Sequence, residues 1–91
     1  MPSALIEVTV FAYGRIRRRL QDEPKRKFRL KAGSSIGDLF RLLGKPEGET
    51  WMVNVNGLLA SEEYMLKHGD EVRLFEPVGG GSPHDARKRY P

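Results

Sequence analysis

The chain of 91 residues contains no cysteine. Without thiols it cannot have a disulfide framework, a thiolate metal site or a cysteine nucleophile. No apolar run approaches the roughly 18 to 20 residues that span a membrane. The N-terminal residues also lack the charged and apolar regions of a signal peptide. We therefore expect a cytoplasmic protein with no membrane partner.

Side chains that could support a metal or cofactor are scarce. The two histidines, His68 and His84, stand far apart, and His68 is predicted to be a turn residue. No pair of carboxylates has a spacing typical of acid–base chemistry. The glycine run at residues 79–81 lacks the lysine and the strand-to-helix context of a phosphate-binding loop. We expect no metal and no cofactor to be bound by this chain.

Positive charge is concentrated in one part of the sequence. The net charge is +4, and nine of the sixteen lysines and arginines fall between Arg15 and Lys31. Three more lie at residues 87–89. This segment could be a hairpin kept soluble by like charge, a docking patch for an acidic partner, or a footprint for a phosphate backbone. Binding of nucleic acid is the least favoured of the three.

The N-terminal half predicts two strands and a helix. Residues 5–11 alternate with period two and place Ile6, Val8 and Val10 on one face, which is typical of a half-buried strand. The arginine-rich residues 12–23 are interpreted as a loop, followed by a second strand at residues 25–31 with Phe28 and Leu30 directed inward.

A helix is predicted after the second strand, because the next apolar residues are spaced three and four apart. Ser35 is a suitable N-cap, Asp38 lies in the first turns, and Gly44 follows the end. The apolar stripe of this helix consists of Ile36, Leu39, Phe40 and Leu43.

The C-terminal half predicts a hairpin and a last strand. Asn56-Gly57 is a strong hairpin signal between strands at residues 51–55 and 58–60. Residues 61–67 are expected to be irregular. The last strand is predicted at residues 71–76, with Val72 and Leu74 inward, and Pro77 ends it because proline has no N–H to donate. Trp51 is predicted to lie in the core.

This order of elements predicts an α+β fold with one helix across a mixed sheet of four or five strands. The helical crossover favours the β-grasp topology, in which the first and last strands are parallel neighbours in the sheet centre. We expect a β-grasp domain at residues 1–78 and a glycine tail at 79–81. Residues 82–91 are polar and basic and are predicted to be a disordered extension.

Four motifs in this order and spacing resemble the MoaD/ThiS family of ubiquitin-like sulfur carriers over residues 4–81. The segment around Phe75 and Pro77 is most similar to the small subunit of molybdopterin synthase. The motifs are Val10-Phe11-Ala12 with Arg15 and Arg17 after it, Val55-Asn56-Gly57, His68-Gly69-Asp70-Glu71-Val72, and Phe75-Glu76-Pro77-Val78-Gly79-Gly80-Gly81.

The resemblance implies that the protein is a carrier and not an enzyme. In such carriers a MoeB/ThiF-like activating enzyme uses ATP to adenylate the carboxylate of the last glycine. A persulfide then displaces AMP and leaves a thiocarboxylate. The terminal pair would be Gly80 and Gly81, with Gly79 at the variable position before them. In molybdopterin or tungstopterin synthesis, the tail would enter a MoaE-like large synthase subunit.

The sequence departs from this pattern because it continues beyond Gly81 for residues 82–91. A peptidase that cuts after Gly81 would produce the reactive terminus. The alternatives are a relative retained as a binding module and a tail foreign to the natural protein.

A partner surface is expected beside the exit of the glycine tail. Phe11 and Phe75 should point away from the helix and form an apolar patch, extended by Pro77 and Val78. The stem of Arg73 could instead cover the rings. Two other functions stay open. One is a non-covalent ubiquitin-like module that binds RNA or an acidic protein through the segment between Arg15 and Lys31. The other is a ubiquitin-like modifier attached through Gly81.

Overall fold

The computed structural model describes residues 4–77, so Val78 lies outside the described residues. Over this range the chain forms five strands, one 3₁₀ helix and one α-helix. In chain order these are β1 (Leu5–Ala12), the 3₁₀ helix (Gly14–Leu20), β2 (Lys25–Lys31), α1 (Ile36–Leu43), β3 (Met52–Val55), β4 (Leu58–Ala60) and β5 (Glu71–Phe75). The predicted tail at 79–81 and extension at 82–91 lie outside the described residues.

The strands form one sheet in the order β2-β1-β5-β3-β4. β1 and β5 are parallel, whereas the other three strand pairs are antiparallel. This arrangement confirms the predicted α+β fold of the β-grasp type, with the first and last strands adjacent. Because β5 lies between β1 and β3, the chain leaves the domain from the centre of the sheet.

The core lies between α1 and one face of the sheet. Period-two alternation directs Val8 and Val10 of β1, and Val72 and Leu74 of β5, into it, each 1% exposed or less. The amphipathic α1 covers this face with its predicted apolar stripe. Trp51 is buried as predicted, and its ring meets that of Phe40 edge-on at 5.3 Å between centroids. Among residues 4–77, no helix has the length and apolarity to cross a membrane.

Both ends of α1 are capped as the sequence predicts. The Ser35 hydroxyl accepts a hydrogen bond from the Asp38 N–H, and the Asp38 carboxylate accepts one from the Ser35 N–H. This capping box satisfies two N–H groups that a helix start leaves without partners. At the other end, Gly44 takes the left-handed conformation with φ of 75°.

The prediction of a loop at residues 12–23 is wrong. Ala12 is the last residue of β1, and Gly14–Leu20 forms the 3₁₀ helix. Two apolar residues among the arginines, Ile16 and Leu20, are 2% and 0% exposed and belong to the core. Burial of these two side chains fixes the segment against the domain, while Arg17, Arg18 and Arg19 stay exposed.

Candidate functional site: the chain exit and the open sheet face

The chain exit is fixed by the last rung of β5. Phe75 is in register with Met52 of β3, and the ladder stops before Pro77. Pro77 is half-buried, so the chain still contacts the domain at this residue. Gly79, Gly80 and Gly81, the predicted reactive tail, lie beyond the described residues.

The sheet face opposite α1 carries no covering element within residues 4–77, and we call it the open face. Its residues are the alternate positions that point away from the core. They are Lys25, Lys27, Arg29 and Lys31 of β2, Leu5, Glu7, Thr9 and Phe11 of β1, Glu71, Arg73 and Phe75 of β5, Met52 and Asn54 of β3, and Leu59 of β4.

Phe11 and Phe75 lie on this same face. Arg73 precedes Phe75 by two residues on β5 and is in register with Phe11 on β1. Arg73 is directly opposite Phe11 on the neighbouring strand, and its guanidinium carbon is 4.4 Å from the Phe11 ring centroid. On the other side, the Lys25 ammonium is 5.8 Å from the same centroid. These are cation–π distances. The Phe11 part of the surface is therefore mixed, with an aromatic ring beneath two cations.

The apolar part of the face lies nearer the chain exit. Met52 is in register with Phe75, and Leu59 of β4 follows in the next row, opposite Asn54. Leu59 is 68% exposed. Exposed apolar side chains grouped in this way mark interaction surfaces. Sequence analysis missed Met52 and Leu59, although the strand period from Val53 and the register of the Asn-Gly hairpin would have placed both on this face.

An ion pair connects the 3₁₀ helix to the residue that follows β5. The Arg15 guanidinium donates through Nε and Nη2 to one carboxylate oxygen of Glu76, at 3.1 and 2.7 Å. This hydrogen bond and the charge of Glu76 raise the pKa of Arg15 above its ordinary value. Since Arg15 is largely exposed, the pair adds little stability. The pair connects the 3₁₀ helix to the residue directly after β5.

A cleft of about 340 Å³ opens beside this ion pair. Three of the residues that line it are arginines, and two are glutamates, so its charges largely compensate one another. The lining includes Arg15, Arg18, Arg19, Glu49, Trp51 and Glu76. The Trp51 indole N–H donates to Glu49 at 2.9 Å, which leaves the cleft polar on its open side.

Asp70 holds the turn that leads into β5, and sequence analysis missed this role. The side chain is 5% exposed. Its carboxylate accepts hydrogen bonds from the Lys67 N–H at 2.8 Å, the Asn56 side-chain amide at 2.9 Å and the Tyr64 hydroxyl at 3.3 Å. Asn56 in turn accepts from the Glu71 N–H at 2.8 Å. Asp70 thus joins the β3–β4 hairpin to the start of the strand that ends at the tail.

His68 is a turn residue, as predicted. Its Nδ1 accepts a hydrogen bond from the Glu7 N–H at 3.0 Å, and the Gly69 N–H donates to the Glu7 carbonyl at 2.8 Å. These two bonds continue the contact between β1 and the β5 side of the sheet to Glu7, two residues before the first β1–β5 pair, Thr9 and Glu71. His68 therefore has a structural part in aligning the two central strands.

Comparison with known proteins agrees with this architecture. A sequence model described as the ThiS family matches residues 8–81. The chain belongs to the ThiS family. The match spans most of the chain and includes the open face, the chain exit and the three glycines. The ThiS family consists of small ubiquitin-like carrier proteins, so this chain is of the carrier type and has the β-grasp fold.

Solved structures give the same fold. A putative molybdopterin converting factor subunit 1 from Pyrococcus furiosus is 28% identical with a TM-score of 0.67, and the alignment covers 80% of this chain and 99% of that one. SAMP1 from Haloferax volcanii is 21% identical with a TM-score of 0.66, over 82% and 99% of the two chains. This second likeness shows the fold alone. A search of curated proteins finds no match.

One further structure contains two different subunits. It is described as the protein–protein complex of subunits 1 and 2 of the molybdopterin-converting factor from Helicobacter pylori. It matches this ThiS-family chain at 28% identity with a TM-score of 0.53, over 84% of this chain and all of that one.

Proposed function

We propose that this ThiS-family protein is a sulfur carrier that is activated at Gly81 to a thiocarboxylate. The sulfur would serve molybdopterin or tungstopterin synthesis or a related thiolation pathway. The observation that carries the proposal is the family match, which extends through the glycine run and ends at residue 81. The position of β5 supports it, since a chain leaving the centre of the sheet carries its terminus away beside an exposed face.

The first chemical step makes a free carboxylate. Because residues 82–91 follow Gly81, a peptidase hydrolyses the Gly81–Ser82 bond with one water, leaving a carboxylate on Gly81 and an amine on Ser82. Glycines suit both this cleavage and the later steps, since a backbone without Cβ atoms can lie extended in a narrow active-site channel.

Sulfur is then transferred by three displacements. The Gly81 carboxylate attacks the α-phosphorus of ATP in the activating enzyme, pyrophosphate leaves, and an acyl adenylate forms. The terminal sulfur of a persulfide attacks the glycine carbonyl and AMP leaves. A thiol then cleaves the S–S bond of the resulting acyl disulfide and releases the thiocarboxylate. The adenylate is needed because a carboxylate alone has no adequate leaving group.

In this proposal the chain binds no cofactor, and its partners supply the rest. The MoeB/ThiF-like activating enzyme holds ATP, and its surface contacts Phe11, Arg73, Phe75, Pro77 and Val78 around the tail. For the pterin pathway, a MoaE-like large subunit receives the tail that carries the thiocarboxylate. The Helicobacter pylori complex of subunits 1 and 2 supports a partner of this kind.

The test is intact mass spectrometry on two chains that differ by one residue. One ends at Gly81 and its control ends at Ser82, and each is incubated with the activating enzyme, ATP and a persulfide donor. We expect only the Gly81-terminated chain to gain the mass difference between one sulfur and one oxygen atom. Protein purified from the native host should contain the species that ends at Gly81.

Equal reactivity of the two chains, or none, would contradict the proposal. A native sample that holds full-length chain alone, with the activating enzyme expressed, would contradict the maturation step. Lysine-linked adducts on other proteins would point to a ubiquitin-like modifier.

A further inference from the structure

The open face carries a row of like charges along its edge. Lys25, Lys27, Arg29 and Lys31 of β2 all point to this face and are all exposed. We call them the basic column. At about 6.8 Å for every two residues of a strand, the column extends for about 20 Å. It is therefore a linear feature whose length matches one side of an ordinary protein interface.

The charges of the basic column are only partly offset within the domain. Among the described residues, 4–77, ion pairs involve Arg15, Arg41 and Arg73 and none of the four column residues. Glu7 stands opposite Arg29, whereas the cross-strand neighbours of the three lysines are uncharged: Phe11 opposite Lys25, Thr9 opposite Lys27 and Leu5 opposite Lys31. Like charges at alternate positions on one strand face repel one another, and on the neighbouring β1 a single carboxylate faces four cations.

The column continues into the aromatic part of the open face. One row of the sheet contains Lys25, Phe11, Arg73 and Asn54 in register. A partner that covers Phe11 and Phe75 must therefore also lie against the column. We propose that this partner is a protein with an acidic ridge, in which carboxylates about 7 Å apart follow β2. The inference rests on the proposed function in taking the activating enzyme to be that partner.

The aromatic rings argue against single-stranded nucleic acid as the occupant. Proteins that bind single strands through a sheet stack bases on free aromatic faces. Here Phe11 has Arg73 at 4.4 Å and Lys25 at 5.8 Å from its centroid. Phe28, the aromatic residue of β2 itself, points to the core side and lies beneath Arg26 at 5.5 Å. No ring beside the column offers an uncovered face for stacking, whereas carboxylates need only the cations.

The experiment compares two double variants with the same change in net charge. Lys27→Glu/Lys31→Glu reverses two members of the column without placing a glutamate opposite Glu7. Arg41→Glu/Lys67→Glu reverses two exposed cations that lie outside both the open face and the cleft at the chain exit. Association of the Gly81-terminated chain with the activating enzyme is followed by biolayer interferometry at several salt concentrations.

We expect the column variant to associate about tenfold more slowly at low salt and to lose most of its salt dependence. The control should stay within about twofold of wild type. Equal effects of both variants, or no effect of either, would overturn the inference. Loss of binding to a short single-stranded RNA, with association to the enzyme unchanged, would assign the column to nucleic acid instead.

Two measurements keep the outcomes separate. Circular dichroism checks that the column variant is folded, and Lys27→Gln/Lys31→Gln, with half the charge change, replaces it if it is not. Thiocarboxylate formation by wild type is measured in the same samples. Salt-dependent association without sulfur transfer would contradict the proposed function and leave the basic column assigned. Sulfur transfer that is the same in wild type and in the column variant would support the proposed function and contradict the assignment of the basic column.

Discussion

At the scale of single residues, Asp70 is the buried polar side chain among residues 4–77. Replacement by alanine leaves the Lys67 N–H, the Asn56 amide and the Tyr64 hydroxyl without their acceptor. We expect Asp70→Ala to lower the free energy of unfolding by about 2–3 kcal/mol, because buried donors that lose a charged acceptor keep their desolvation cost. Urea denaturation measures the change.

The control for Asp70 is Tyr64→Phe, which removes only the longest of the three bonds, at 3.3 Å. Its cost should be no more than about 1 kcal/mol. If both variants unfold at the same urea concentration, the carboxylate does not hold the turn before β5. The motif His68-Gly69-Asp70 would then be an ordinary surface turn.

The side chains that surround a residue were harder to predict from the sequence than the face of the sheet on which it lies. Period two in β1 was enough to place Phe11 away from the core, and the structure agrees. The cover over its ring was not predictable in detail, because it depends on which β5 residue stands opposite. That register, Phe11 against Arg73, is set by long-range parallel pairing and has no local signal in the sequence.

At the scale of elements, the capping box of α1 predicts a dependence of stability on pH. The Ser35 N–H that donates to Asp38 lowers the pKa of this carboxyl below its ordinary value of 3.8, with smaller contributions from the Ser35 hydroxyl and Arg41. A pKa that is lower in the folded state stabilises the protein above the unfolded value. This contribution is lost as the pH falls from about 3.8 through the folded pKa.

Asp38→Asn keeps the shape of the side chain and removes its charge. We expect wild type to be more stable than Asp38→Asn at neutral pH, and the difference to disappear at acidic pH, in urea denaturation series. Asp22→Asn, at an exposed aspartate outside α1, should show a smaller change. A difference that stays constant from neutral to acidic pH would mean that the charge of Asp38 does not stabilise the helix start.

The elements that sequence analysis predicted are those with an uninterrupted pattern. β1 alternates over its whole length, α1 has both caps and a full apolar stripe, and Asn56 and Gly57 both take the positive φ that a tight hairpin requires, 52° and 92°. The 3₁₀ helix was missed because its two buried residues are separated by three arginines. Two apolar residues among charged neighbours do not form a recognisable helical pattern when the segment has no third apolar position.

At the scale of the whole molecule, the buried cluster formed by the described residues, 4–77, has its last member before the predicted tail. Its first and last members are Ile6 and Leu74. Removal of residues 82–91 should therefore leave the free energy of unfolding within about 0.5 kcal/mol of the full chain, since changes away from the core have effects of that size. A carrier that is cut at Gly81 requires this, because maturation must not unfold the domain that presents the new terminus.

Urea denaturation of the full chain and of the chain ending at Gly81 tests this independence. Leu74→Ala in the shorter chain is the positive control, since Leu74 is 0% exposed and its truncation should cost about 2–5 kcal/mol. If the chain ending at Gly81 is destabilised to a similar extent as this control, residues 82–91 contribute to the fold. Cleavage would then exchange stability for reactivity, and the extension would act as part of the domain until the moment of activation.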